Sequence, residues 1–252
     1  MSASAFVDVW QAVKRVEGWL SEDQARRLFE RAAAVTPGGT IVEIGSFHGR
    51  STIVLSLAAP SGATVVAIDP HAGSDRGPQE FTPDAARGEA DHTTFLANLA
   101  AAGASERVRH IRLRSAAALE LVTEPVDLLF VDGAHRLTPA LDDITRYGAL
   151  VVPGGTMLIH DAFSSIGVTL AIGARLVPST QFTYAGRTRS LAEYRRAKAP
   201  RLSAGARASS AAAQLVQAPW FARNVAIKLA ISAGQTGVAR GLGHRAGDPW
   251  PY

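Results

Sequence analysis

Residues 40–51 read TIVEIGSFHGRS, and this stretch decides the fold. The apolar run from Thr40 to Ile44 ends in a loop carrying Gly45 and Gly49, and a second apolar run, STIVLSLAA (51–59), reads as a helix. A strand that ends in a glycine loop and passes into a helix is a building unit of a parallel α/β sheet. The two glycines let the backbone turn tightly and approach a ligand with no Cβ in the way. A dinucleotide site asks instead for G-x-G-x-x-G, with phosphate lying on the helix N-terminus. Here the spacing is G-x-x-x-G, and Glu43 precedes it. A carboxylate there repels pyrophosphate and attracts an amine-bearing ligand. The plainer alternative is an ordinary strand–helix turn.

Working outward, ATVVAID (63–69), VRHIRL (108–113), VDLLFVD (126–132) and TMLIHD (156–161) are further strands, each nearly continuous in apolar residues. Helices are expected over 22–35, with Ser21 as N-cap and Pro37-Gly38-Gly39 as the stop, over 93–102 and over about 138–149. Residues 71–90, rich in Gly, Pro and charge, read as a loop. This alternation predicts a doubly wound, mostly parallel sheet covered on both faces. Ligands of such sheets sit at the carboxyl ends of the strands, where the strand order reverses. The polar residues ending these strands are Glu43, Asp69, Asp132, His160 and Asp161. Asp69 suits the two hydroxyls of a ribose, or else caps the turn before Pro70. Asp132 and Asp161 end two of these strands and repel unless a cation, a proton or a basic group lies between them. A hard divalent cation such as Mg²⁺ takes such oxygens, although each aspartate could also be a simple cap.

The chain has 252 residues, 47% of them hydrophobic, enough to bury a sizeable core. Without cysteine, disulfides and thiolate metal sites are excluded, and a reducing, cytoplasmic setting is the expectation. The N-terminal residues hold no apolar block of the signal-peptide kind, and no run reaches the ~18 apolar residues of a membrane span. The net charge of +4 is uneven: residues 195–252 hold nine Lys/Arg and one acid, residues 1–194 hold 17 basic and 21 acidic groups. Only this tail calls for an anionic partner, so nucleic acid is not indicated. The chain divides into an N-terminal helical cap (1–36), a core (37–198) and a basic Ala/Gly-rich extension (199–252). Within the extension a linker near 199–208 precedes a helix around Ser210–Ser232 and a loose Gly-rich end. Trp220, Ile227 and Ile231 fall at helical spacing beside Arg223 and Lys228. That pattern suits peripheral contact with anionic lipid. It equally suits packing on the core, a homodimer contact or a partly disordered tail.

The order of motifs resembles the class I S-adenosylmethionine-dependent methyltransferases. Within them it is similar to the branch holding catechol O-methyltransferase and the macrocin-type sugar O-methyltransferases. The stretches that carry the likeness are VEIGSFHGRST, VVAIDPHAG, FLANLAAAGASERVRHIRL, VDLLFVDGAH and PGGTMLIHDAF, and it extends from about residue 22 to 197. It implies a seven-stranded Rossmann-like sheet closed by an antiparallel pair, FTYAG and SLAEYRR. It implies that Glu43, Gly45, Gly49 and Ser51 surround the methionine part of the cofactor. Asp69 then holds the ribose, Arg114 and Ser115 lie near the adenine, and Asp132 borders the same site. Asp132 and Asp161 fall on the positions that bind a divalent cation in metal-dependent members. His160 is either a nitrogen ligand beside them or a strand-end histidine. His135 falls where catechol-type enzymes place a lysine general base. Two departures stand out. Ala162 replaces a further metal ligand, asparagine, and Ala134 and His160 replace acids of the macrocin-type members.

The resemblance implies transfer of a methyl group to a hydroxyl of a small molecule, with a sugar, glycolipid or glycoside favoured. Mg²⁺ on Asp132 and Asp161 would chelate the acceptor oxygens while His135 takes the proton, with Asp161 also counted as catalytic and His160 or Asp161 as the alternative base. His48 sits within the glycine loop, touching the cofactor or packing. His71 and His92 border a 71–92 loop assigned to acceptor selection or lid closure. The rival readings are a non-catalytic cofactor-binding module and an NAD-dependent oxidoreductase. Base methylation lacks its D/N-P-P-Y/F motif.

Overall fold

The structure, a computed structural model, describes residues 3–74 and 82–245. In chain order it contains α1 (Ala3–Val13), α2 (Glu22–Ala33), β1 (Thr40–Ile44), α3 (Arg50–Ala58), β2 (Thr64–Ile68), α4 (Ala85–Ala101) and β3 (Val108–Ile111). Then come α5 (Ser115–Ala118), β4 (Val126–Val131), α6 (Leu137–Arg146), β5 (Val151–Ile159), α7 (Ile166–Arg175), β6 (Phe182–Thr188) and β7 (Leu191–Arg196). Three helices close the chain: α8 (Ala204–Leu215), α9 (Ala218–Ser232) and α10 (Thr236–Gly241). The seven strands form one sheet in the order β3-β2-β1-β4-β5-β7-β6, with β7 antiparallel to both neighbours. This is the doubly wound sheet with the antiparallel closing pair that the sequence implied.

Alternate residues of each buried strand feed opposite cores, as the two-residue period of a strand requires. Ile41, Val65, Leu128 and Phe130 pack with α1, α2, α3 and Phe95 on one face. Val42, Val66, Leu129 and Met157 pack with α6 and α7 on the other. Helix α2 begins as expected, with Ser21 and Gln24 forming a reciprocal capping box. It is also tied to β7, because Arg27 and Arg31 reach the buried Glu193 at 2.7 and 3.0 Å.

Several boundaries differ from expectation for identifiable reasons. Helix α4 starts at Ala85, capped by Asp84, eight residues before the predicted start. Its interior Gly88 gave the stretch a loop-like composition. The glycine is needed because a Cβ there would lie 2.1 Å from the carbonyl oxygen of His71. The Asp75-Arg76 part of the 71–92 loop lies outside the described residues. In the extension, the expected linker is already helical from Ala204, with Ser203 as N-cap. The expected single helix breaks after Leu215 and restarts at Ala218, with Pro219 in its first turn, where a missing N–H costs nothing.

The extension lies on the core. Tyr184 N–H donates to Ser210 Oγ (2.9 Å), and the Tyr194 hydroxyl donates to Gln214 Oε1 (3.0 Å). Ile227, one of the three residues expected to face lipid, is wholly buried, and Trp220 lies under the Arg187 guanidinium at 3.8 Å. The stripe that suggested a membrane surface is therefore turned inward, where burying its apolar area is equally favourable. Among the described residues, no helix is long and apolar enough to cross a membrane.

Candidate active site

Strand register sets the geometry. Ile44 pairs with Ile68 on one side and Val131 on the other, and Val131 pairs with Ile159. The residues that follow, Gly45, Asp69, Asp132 and His160, therefore leave the sheet at one level. The order reverses between β1 and β4, which opens a crevice above them. A cavity of about 610 Å³ fills it, within the size range of small-molecule sites. Its walls come from the β1, β2, β3 and β4 strand ends, from 136–139 and from Trp19.

Gly45 has φ +88°, and a Cβ there would lie 2.1 Å from the Asp132 carbonyl oxygen. Only glycine lets β1 and β4 approach this closely at their ends. Asp69 Oδ2 accepts the N–H groups of Ser46 and Phe47 at 2.9 and 2.8 Å, and its Oδ1 accepts that of His71 at 2.7 Å. The carboxylate thus shapes the glycine loop while staying part of the cavity wall, with lone pairs left for ligand hydroxyls. Phe47 and His71 hold left-handed φ values of 43° and 44°, strain of the kind that collects at binding sites. The His71 ring meets the Phe47 carbonyl at 2.9 Å, joining the two loops. His48 is not among the lining residues; its ring lies 3.0 Å from Asp91, which is.

Of the expected cofactor residues, Gly45, Asp69, Arg114, Ser115 and Asp132 line the cavity. Glu43, Gly49 and Ser51, expected around the methionine, are not among the lining residues. Glu43 is fully buried beneath the loop, where it accepts a short hydrogen bond from the Thr52 hydroxyl. Burial pushes its carboxyl up to about 7, against the lowering effect of the Ser51, Thr52 and Ser46 hydroxyls. Gly49, at φ +87°, is the N-cap that turns the chain into α3, and Ser51 is buried in the first turn. These residues build the loop from behind.

On the acceptor side, His135 lines the cavity, and its Nε2 lies 2.7 Å from Asp161 Oδ2. Burial lowers the affinity of this imidazole for a proton, but Asp161, with help from Asp132, raises it above the ordinary value. Asp161 and His160 sit under the cavity floor, with exposures of 1% and 4%. The left-handed φ of Asp161, 56°, turns the chain there. His160 Nδ1 lies 3.1 Å from Asp132 Oδ1 and 3.6 Å from Asp161 Oδ1. Its burial disfavours charge, yet the two carboxylates push its pKa up to about 9, while His135 first and His160 second hold Asp161 at about 2 despite burial. The group that relieves the repulsion between the aspartates is thus a basic side chain.

That arrangement corrects the metal expectation. His160 stands between Asp132 and Asp161 with its proton-bearing nitrogen toward both, and His135 takes the other Asp161 oxygen. Of the three expected metal ligands, Asp132, His160 and Asp161, Asp132 alone lines the cavity. Among the described residues, no three His or acidic side chains converge as a ligand set. These donors as arranged do not fit Mg²⁺.

Sequence reasoning missed Trp19 and Phe47, whose rings lie 5.2 Å apart at the cavity wall. Trp19 is placed from a distance: Arg50 donates to the carbonyls of Lys14, Gly18 and Leu20 at 2.7–3.0 Å and pins the segment carrying it. It also missed Asp143, a buried carboxylate on α6 that lines the cavity. No spacing signal marks these residues, since tertiary packing alone brings them to the site.

The cavity fits S-adenosylmethionine: it has the volume, a backbone that approaches closely at Gly45, and a carboxylate at the end of β2. A family model described as a methyltransferase domain matches residues 42–162, the span from β1 to the turn after β5. Among solved structures, the chain is similar to the O-methyltransferase from Bacillus cereus in complex with SAH (18% identity, TM-score 0.50, covering 77% of this chain and 90% of that one). It is also similar to the SAH-bound Podospora anserina methyltransferase PaMTH1 (17% identity, TM-score 0.54, 77% and 88% covered). A Corynebacterium glutamicum protein shares the fold as well (15% identity, TM-score 0.55, 78% and 91% covered). At these identities the likeness to solved structures is one of fold, and the family match gives the chain a methyltransferase domain over residues 42–162.

Proposed function

We propose that the protein methylates a hydroxyl of a small molecule, with a sugar, glycoside or glycolipid favoured, and that His135 is the general base. The observation that carries this reading is the His135–Asp161 pair at 2.7 Å, with the imidazole on the cavity wall and the carboxylate beneath it. Asp161 as acceptor fixes the proton on Nε2 and leaves Nδ1 as the basic atom. S-adenosylmethionine supplies the electrophilic methyl group and leaves as the thioether. The acceptor oxygen forms the new O–CH₃ bond as the S–CH₃ bond breaks, and its proton passes to His135 Nδ1. Asp161 then stabilises the imidazolium, and His160 in turn holds Asp161 ionised. Trp19, 39% exposed, offers an apolar face on which a sugar ring can lie. Two of the similar solved proteins, the Bacillus cereus enzyme and NovP, are O-methyltransferases, which agrees with an oxygen acceptor. Because the donors do not fit Mg²⁺, no metal enters this reading.

The test is incubation with methyl-labelled cofactor and panels of sugars, glycosides, glycolipids and catechols, followed by mass spectrometry. A labelled methyl ether is expected, with His135→Gln slower by about 10²–10⁴ at unchanged SAH affinity. Label on nitrogen, or a His135→Gln enzyme at full rate, overturns the proposal.

A further inference from the structure

Asp143 is a buried carboxylate of the cavity wall that methyl transfer does not use. Asp143 is 3% exposed, on the inward face of α6 beside Ala140 and Ile144. The Ser115 side chain nearby favours its ionised form, and the Tyr147 hydroxyl donates to the Ser115 carbonyl at 2.7 Å. A Cβ on Gly133 would lie 3.4 Å from Asp143 Oδ2. The carboxylate thus sits between the ends of β3 and β4.

The other polar groups fix which part of the cofactor lies here. The methyl group must face His135 at the end of β4, and the ribose hydroxyls suit Asp69 at the end of β2. The purine then extends toward the end of β3, where Ser115, Ala116 and Asp143 line the cavity. Two charged groups near Asp143 act on it in opposite senses, Asp142 and Arg146. Desolvation dominates and pushes its carboxyl up to about 6, eased by Ser115. A carboxylate buried at a cavity wall has acceptor capacity that an N–H donor from a ligand can fill.

We propose that Asp143, beside Ser115 on the cavity wall, accepts a hydrogen bond from the 6-amino group of the cofactor's adenine and makes the site selective for 6-amino over 6-oxo purines. This rests on the cavity being the S-adenosylmethionine site. An oxygen at position 6 turns lone pairs toward the carboxylate and leaves both acceptors without a proton. Discrimination on the order of ten- to a hundredfold follows from one such unmet buried group. Asparagine at 143 keeps the shape and can turn an amide N–H toward a 6-oxo group, so the preference should shrink or invert.

Calorimetric titration with S-adenosylhomocysteine and S-inosylhomocysteine tests this without any acceptor. Wild type should bind the adenosyl compound ten- to a hundredfold more tightly, and Asp143→Asn should lose or reverse that ratio. Equal affinities in wild type overturn the proposal with no variant needed. A wild-type ratio retained in Asp143→Asn overturns it too, leaving Asp143 as a brace for Ser115. Wild type that binds neither compound overturns both this proposal and the cofactor site on which it rests.

Discussion

Glu43 ends the apolar run TIVEI, is wholly buried and has a pKa near 7, so it should make the stability of the ligand-free protein depend on pH. An acid that binds its proton more tightly when folded keeps more protons in the native state, so stability falls as pH rises through the window. That window runs from 4.5, the unfolded value, to about 7. At about 1.4 kcal/mol per pH unit, the loss from this group is about 3 kcal/mol, complete by pH 8. Glu43→Gln keeps the shape and the bond from Thr52 but cannot ionise. Urea unfolding of both proteins at intervals from pH 5 to 8 isolates the effect, because other buried acids such as Asp143 are common to both. The difference should move in favour of Glu43→Gln by up to about 3 kcal/mol as pH rises. The variant should also bind S-adenosylhomocysteine normally, since Glu43 does not line the cavity. A difference that stays constant over this range would falsify the reasoning, for it would mean that the carboxylate is ionised throughout.

Gly45→Ala should cost at least about 1–2 kcal/mol from its left-handed backbone alone, and the contact with the Asp132 carbonyl should displace the loop and abolish calorimetric binding of S-adenosylhomocysteine. Near-normal binding would mean that β1 and β4 are not held together there. Titrating the ligand-free protein with Mg²⁺ should give no saturable heat, and labelled methyl transfer should continue in excess EDTA. A saturable heat lost in Asp132→Asn would restore the metal site. Asn224→Ala removes the donor to the Phe163 carbonyl (3.2 Å) from a fully buried position. It should lower urea stability by about 1–3 kcal/mol, and an unchanged midpoint would show that the extension is not coupled to the core.

The parallel sheet was legible because each buried strand is a nearly unbroken apolar run and because Gly45 and Gly49 mark the turn after the first. The strand-end positions Asp69 and Asp132 were legible for the same reason, since register carries them to one edge, whereas His135 was marked only by the family resemblance. Side-chain direction was not. Whether Glu43 faces the cavity or the core depends on the pleat of β1, and Asp161 turns beneath the floor through its left-handed backbone. The metal reading failed at His160, because sequence order cannot show that an imidazole occupies the gap between two carboxylates. Trp19 escaped notice since its place depends on three carbonyls captured by Arg50. The extension's apolar stripe was visible, but not the surface that covers it.

The turn from Asp161 to Ser165 carries the carboxylate that orients His135, and two residues there, Asp161 and Phe163, hold left-handed backbone angles. It is held from α9: Asn224 donates to the Phe163 carbonyl and Lys228 to that of Ser164 (2.8 Å), separations of 61 and 64 residues along the chain. During synthesis the sheet and its cofactor crevice can form well before α9 has emerged, whereas this turn cannot be locked until it has. The nascent protein would therefore gain its cofactor crevice first and its fixed proton-accepting pair only later, with α9 as the last component of the acceptor side.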